Sequence, residues 1–314
     1  MTEPITEPAA RAAAATPPPM LDAEAITTKE RSQLQLVVSR FLRHRLAVGS
    51  LVVFLLVVAY AFLGPLVWPY DHTIHQEIPI DQPPSLQHPF GTDLPGHDMF
   101  GAVMRATQQS LKVTFTVALI ATTIGALWGA VAGFFRGWVD AILMRIVDII
   151  LVVPLLVLVT ALAGNVRGGT SWWAVALVIA LFGWTTTARV VRGVVLSLRE
   201  QEFIEAARAM GASNTRIVLR HLIPNTTGVI IVSGTLLIAT AILVEAGLSF
   251  LGFGIQAPDT SLGLLVNQNR TTVFTRPWLF YPAGIFIILI ALTANFIGDG
   301  LRDALDPRQT RVRQ

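Results

Sequence analysis

Six long apolar runs, at residues 46–68, 111–135, 139–163, 172–196, 228–251 and 279–298, constrain this chain more than any other feature. A helix needs roughly 20 residues to cross the hydrocarbon core of a bilayer, and each run supplies that length. The chain is 53% hydrophobic and 14% charged, whereas soluble domains carry about 25% charged residues. Transmembrane strands would be shorter and would alternate apolar with polar positions, which these runs do not. The expected fold class is therefore an all-α polytopic membrane protein with six transmembrane helices. In the second run Gly125, Gly129 and Gly133 recur at every fourth position, a spacing that predicts close helix packing.

Charge sets the expected orientation. Lys29, Arg31, Arg40, Arg43 and Arg45 precede the first run; Arg199, Arg208, Arg216 and Arg220 lie between the fourth and fifth; Arg302, Arg308, Arg311 and Arg313 follow the sixth. The alternate loop 69–110 holds Asp71, Glu77, Asp81, Asp93 and Asp98 against Arg105. The positive-inside rule places both termini and the 197–225 loop in the cytoplasm, with loops 69–110, 164–171 and 252–278 outside. Residues 1–28, rich in Ala, Pro, Glu and Thr, read as a disordered cytoplasmic tail without the apolar core of a secretory signal. Residues 29–45 read as an amphipathic interfacial helix, with Leu34, Val37, Val38, Phe41 and Leu42 on one side. The transmembrane domain is expected over 46–302 and a cytoplasmic tail over 303–314.

Several functions are disfavoured by composition. Cysteine is absent, so no disulfide, iron–sulfur or thiolate zinc site is available. The two lysines, Lys29 and Lys112, do not follow glycines, so a P-loop is missing and the chain is expected to bind no nucleotide. Ser, His and Asp are scattered across both sides, without a catalytic constellation, and the expectation is that the protein is not an enzyme. The basic residues track topology and suggest no nucleic acid. His72, His75, His88 and His97 fall in one loop, but their spacing fits no metal motif, and no metal ligands are assigned.

The 197–227 segment is the most informative loop. Good helix formers fill 200–210 apart from Phe203 and Ile204. Gly211 suits a helix end, and Ser213 or Asn214 can cap a second helix through Ile217, Val218 and Leu219. Pro224 is expected to stop that helix before the fifth span. Ala206 and Ala207 form a small-residue face that permits close approach of another surface, with the charge of Glu205 beside it.

Within it, Glu205-Ala206-Ala207, Gly211 and Pro224 resemble the EAA loop of ABC-importer permeases. His221 stands where the general pattern has Ile, and Ile223 where it has Leu. That His form resembles the oligopeptide/dipeptide/nickel (DppC/OppC-type) branch. The segment His88-Pro89-Phe90-Gly91-Thr92-Asp93, followed by Gly96-His97-Asp98, is similar to that branch, with His97 in place of Arg. So are the stretches 137–154, 245–254 and 298–308; Leu262 departs where Trp is usual. The resemblance covers roughly residues 30–308. It implies a type I importer of MetI-like fold in a bacterial plasma membrane. Its implied partners are a DppB/OppB-type permease, one or two cytoplasmic ABC ATPases that hold ATP and Mg, and an extracytoplasmic solute-binding protein. It further implies that Glu205, Ala206, Ala207, Gly211, His221 and Pro224 couple ATPase motion to the pathway. A peptide is the implied solute, with nickel, haem or glutathione as alternatives, and an ion-coupled secondary transporter is the alternative from another class.

Charges inside spans are costly and often functional. Arg145 and Asp148 are three apart and can pair along one helix face; a local structural pair and a role at the interface with a second permease are the two readings for them. Glu245 has no cation near it in sequence. Hydrogen bonding or a place along the pathway are the two readings for it.

Overall fold

The computed structural model describes residues 33–73, 78–154, 157 and 171–305; the expected tail at 1–28 and His75 lie outside them, as do residues 306–314. The regular structure of the described backbone is all helix, with one isolated antiparallel bridge, Thr92 to Asp98, in the loop before Met99. Helices satisfy their backbone groups internally, which hydrocarbon demands.

The first helix, α1 (Gln33–Arg43), ends in Arg40 and Arg43 and packs against the last helix of the chain. His44 then caps α2 (Arg45–Val67), its Nδ1 accepting from the Ala47 N–H at 3.1 Å. The long α3 (Met99–Phe135) begins at Asp98, whose carboxylate accepts from the Gly101 N–H at 2.8 Å. It starts twelve residues before the expected span, so the expected 69–110 loop ends in helix. Arg105, Gln108, Gln109 and Ser110 interrupt the apolar run there but not the helix, because α3 places them against other protein rather than lipid.

A tight turn at Arg136 leads to α4 (Gly137–Val152), and α5 (Trp172–Leu198) follows. Two short helices, α6 (Glu202–Ala209) and α7 (Asn214–Ile217), precede a π-helical turn over Val218–Leu222. That turn continues directly into α8 (Ile223–Phe250). A short α9 (Leu262–Gln268) and the long α10 (Pro277–Leu305) complete the chain. Because α10 reaches Leu305, it runs past the expected domain boundary at 302.

Five of these stretches are long and apolar enough to cross a membrane: α2, α3, α5, the continuous Asn214–Phe250 and α10. The expected count was six. At the third expected span, 139–163, the structure describes α4 with 16 residues, short of a crossing, and 155–156 and 158–170 lie outside the described residues.

Helix α3 is the hub, packed against α2, α4, α5, α8, α9 and α10. Over half of its apolar window is buried, 56%, against 22% for α2. The reason is the glycine row. A Cβ at Gly125 would meet the Trp184 carbonyl at 2.6 Å, and one at Gly133 the Arg192 carbonyl at 2.9 Å. The backbones of α3 and α5 therefore touch, as the four-residue spacing predicts, and dispersion along this seam replaces the hydrophobic drive that lipid cannot supply.

Candidate coupling site

The segment between α5 and α8 is built by local backbone chemistry. At the end of α6, Gly211 adopts φ +81°. The Ala212 N–H reaches the Ala207 carbonyl and the Gly211 N–H reaches that of Arg208, the double closure of a Schellman motif. The Ser213 hydroxyl then caps α7 by accepting from the Arg216 N–H.

Pro224 does not stop the second helix, contrary to expectation. It lies in the first turn of α8, where a missing N–H is tolerated. The preceding turn widens to π geometry, with the Ile223 N–H bonded to the Val218 carbonyl. The Asn225 side-chain amide donates to the His221 carbonyl at 2.6 Å. Asn214–Phe250 is consequently one helix with a defect, rather than a helix, a break and a span.

The packing divides Ala206 from Ala207. Ala207 is 3% exposed and faces inward with Ile204, Ile217, Val218 and Leu222, against Ala126, Ala130 and Phe134 of α3 and Val191 and Val195 of α5. It is part of the protein's own core, not of an outward small-residue face. The helical period explains this, since α6 buries one stripe and adjacent residues lie about 100° apart. Glu205, Ala206 and Gly211 face outward. Phe203, 41% exposed, and Met210, 82% exposed, join them. Sequence reading passed over these two; the signal was a pair of large apolar residues within a charged loop. His221 is half-buried at the π turn and Pro224 is exposed. The segment is fastened to the bundle by Arg136 to Glu200 at 2.9 Å, by Arg199 donating to the Phe134 carbonyl, and by the Arg208 guanidinium over the Phe134 ring.

The intramembrane charges are placed differently from the local-pair reading. Asp148 bonds Arg189 of α5 at 2.5 Å rather than Arg145, which is exposed. A second cross-helix pair, Asp140 with Arg192, holds two parallel bonds of 2.5 and 2.6 Å. Both join α4 to α5, so the cation–anion matching runs between helices. Glu245 is fully buried and takes hydrogen bonds from Ser110 of α3 at 2.9 Å and Ser249 at 2.7 Å. Ser261, the cap of α9, donates to Ser249. Glu245 thus ties α3, α8 and α9 together.

At the opposite end of the bundle the histidines pair singly. His88 bonds the buried Asp98 at 2.8 Å, and His97 bonds Asp93 at 2.7 Å. Among the described residues no group of three or more His, Cys, Asp or Glu could hold a metal. The hydrogen bond to Asp93 raises the His97 pKa above its ordinary value, with burial opposing it. A raised folded value means stabilisation that is full below the unfolded pKa of about 6.5 and is lost as pH rises through the folded value. The stability difference between the protein and His97→Gln should therefore shrink between about pH 5 and pH 9. A gap constant across that range in thermal unfolding would refute the assignment.

Comparison with known proteins gives these features a family. Residues 121–311 match the binding-protein-dependent transport system inner membrane component family, and residues 32–89 match the N-terminal transmembrane domain of oligopeptide transport permease C. The oligopeptide transport system permease protein OppC of Mycobacterium tuberculosis is 43% identical over 91% of this chain and 99% of its own length. That of Bacillus subtilis is 38% identical over 91% of this chain and 93% of its own. The inward-facing MetNI methionine ABC transporter aligns with a TM-score of 0.54 at 20% identity, over 65% of this chain and 97% of the other, and shows the shared fold. The chain belongs to the inner-membrane permeases of binding-protein-dependent transport systems, in the oligopeptide permease C branch.

Proposed function

We propose that this chain is the transmembrane permease subunit of an ATP-driven oligopeptide importer. It forms the pathway with a second permease of the DppB/OppB type, receives peptide from an extracytoplasmic binding protein, and works with cytoplasmic ATPases that carry the nucleotide. Its termini and the 197–227 segment lie on the cytoplasmic side of a bacterial plasma membrane. Kinship with oligopeptide permeases over nine-tenths of the chain supports the substrate class.

The observation that carries the coupling role is the two-sidedness of α6. Its inner stripe, Ile204 and Ala207, is locked into the bundle, while Glu205, Ala206, Phe203 and Met210 stand exposed beside it. A partner pressing on that outer stripe moves α3 and α5 with it, because Ala207 has no side-chain slack to absorb the displacement. Large apolar groups ringed by charge are the composition of a docking surface.

Gly211→Arg tests this directly. A Cβ there meets nothing within 4 Å, so the substitution adds bulk to the docking face and costs the fold only the strain of its left-handed backbone, about 1–2 kcal/mol. Removing an interface anchor costs about 2 kcal/mol or more, roughly 30-fold in affinity. Gly211→Arg and Glu205→Ala are expected to insert normally, to lose the ATPase on purification and to abolish peptide uptake. Normal uptake by both variants would remove the docking role. Uptake of nickel, haem or glutathione but not peptide by the intact system would replace the substrate class while leaving the coupling reading in place.

A further inference from the structure

A cavity of about 420 Å³ opens at the end of the bundle remote from the coupling segment. Its walls come from the 92–97 turn, the first turns of α3, the Ala257–Thr260 loop, α9 and the start of α10. The volume is that of a small-molecule site, which takes about 300–1,000 Å³. Its floor is apolar, with Met99, Ala102, Leu265 and Leu279 all buried.

The polar rim is unusual in being charged but balanced. Asp93 is paired with His97, Arg276 with Asp81 at 2.6 Å, and Asp259 with Arg105 through two bonds of 2.9 and 3.0 Å. Gln109 donates to the same Asp259 carboxylate. Two of these pairs, Arg276–Asp81 and Asp259–Arg105, join segments distant in sequence and hold the rim in place, while Asp93–His97 closes a local turn. Thr260, nine-tenths buried, also lines the cavity, and its hydroxyl has no hydrogen-bond partner among the described residues. His72, whose pKa is lowered chiefly by burial, adds a neutral imidazole to the wall.

We propose that this cavity is a binding site for one residue of a short zwitterionic peptide, with an apolar side chain on the Met99–Leu265–Leu279 floor and the charged ends against the paired rim. The reasoning is complementarity. A simple anion or cation would meet its own sign on the rim, whereas a molecule carrying both charges finds a counter-charge for each. The floor needs an apolar group to cover it, which a free amino group and carboxylate alone do not supply. Thr260 on the cavity wall is followed by Ser261, which is hydrogen-bonded to Ser249 at the end of α8, and Ser249 in turn to Glu245. This assignment rests on the peptide reading of the preceding subsection.

The absence of cysteine makes a direct test available, since one introduced thiol is unique. Gln268→Cys and Thr272→Cys each place a thiol on the cavity wall, and Leu86→Cys places one at a fully exposed position away from it. Each variant of the full chain is purified in detergent without binding protein, and its rate of reaction with a charged maleimide is measured. The probe ligand is Ala-Phe-Ala with free termini, compared with the same tripeptide acetylated and amidated. Protection of the two cavity thiols, reaching about tenfold when the peptide is about tenfold above its dissociation constant, with none at Leu86→Cys and none from the blocked peptide, is the expected result. Unchanged cavity rates with the free tripeptide overturn the proposal, and equal protection by the blocked form overturns its dipolar basis. Uptake of labelled Ala-Phe-Ala by cells carrying the intact system is measured in parallel. Uptake without protection dismisses the cavity alone, whereas neither uptake nor protection dismisses the peptide reading with it.

Discussion

Replacing Gly129 by leucine should prevent assembly of the bundle. A Cβ at that position would fall on the Ala188 carbonyl oxygen and within 2.9 Å of the Arg192 nitrogen, both backbone atoms of α5. Over-packing a core against side chains costs typically about 1–3 kcal/mol, because rotamers can yield. Here nothing can rotate away, so α3 and α5 must separate along the whole glycine row, and the cost should exceed that range. Whole-domain stability is only about 5–15 kcal/mol, so the expected outcome is loss of monodisperse protein from detergent extracts. Even Gly129→Ala should lower the unfolding temperature. Gly193 on α5 provides the control, for a Cβ there meets nothing within 4 Å. Gly193→Ala should be neutral or stabilising, by up to about 1 kcal/mol from helix propensity. If the two alanine variants unfold at the same temperature, the seam is not what holds these helices together.

Truncating Glu245 is the second large effect. Its carboxyl accepts from Ser110 and Ser249, and those hydroxyls in turn meet the Leu262 N–H and the Ser261 hydroxyl. Glu245→Ala removes the acceptor at the centre of this network and leaves a void. Unsatisfied buried hydroxyls cost about 1–3 kcal/mol, and a core cavity adds to that, so a loss of about 3 kcal/mol or more is expected. Glu245→Gln retains one carbonyl oxygen, fits the same space and should lose far less, since the serine hydroxyls can turn to accept from its amide. Thermal unfolding of the two variants separates the cases. An alanine variant as stable as the parent would show that Glu245 does not bear this load.

Features whose chemistry is local were readable from the residues alone. The glycine row, the turn at Gly211 and the Ser213 cap each depend on a few consecutive positions, and each is found as the spacing implies. Partnerships across the bundle were not readable. Asp148 has Arg145 three positions away yet bonds Arg189, and Asp259 finds Arg105 across 154 positions. Helix geometry allows the near pair, but cross-helix pairing also satisfies the guanidinium of α5, which nothing on its own helix neutralises. The start of α3 was missed because hydropathy registers lipid contact, whereas Arg105 and Gln109 are covered by the Asp259 loop. Ala207 was read onto an outward small-residue face with Ala206 because two adjacent alanines look alike in sequence, and only the direction of burial tells them apart. Pro224 was misjudged because the rule that proline ends a helix assumes α geometry on both sides.

That misjudged proline has a mechanical corollary. The uninterrupted stretch Asn214–Phe250 has 37 residues, and at 1.5 Å per residue it is about 55 Å long. The hydrocarbon core is about 30 Å thick, so a substantial part of the rod must stand clear of it. The protruding part is the polar foot, and the π turn sits where foot meets shaft. A rod with its single defect at that height is a lever of the first kind, with unequal arms. A swing of about 10° about the π turn would carry the far end, some 40 Å away along the shaft by the same rise per residue, through about 7 Å, while the foot shifts by only one or two.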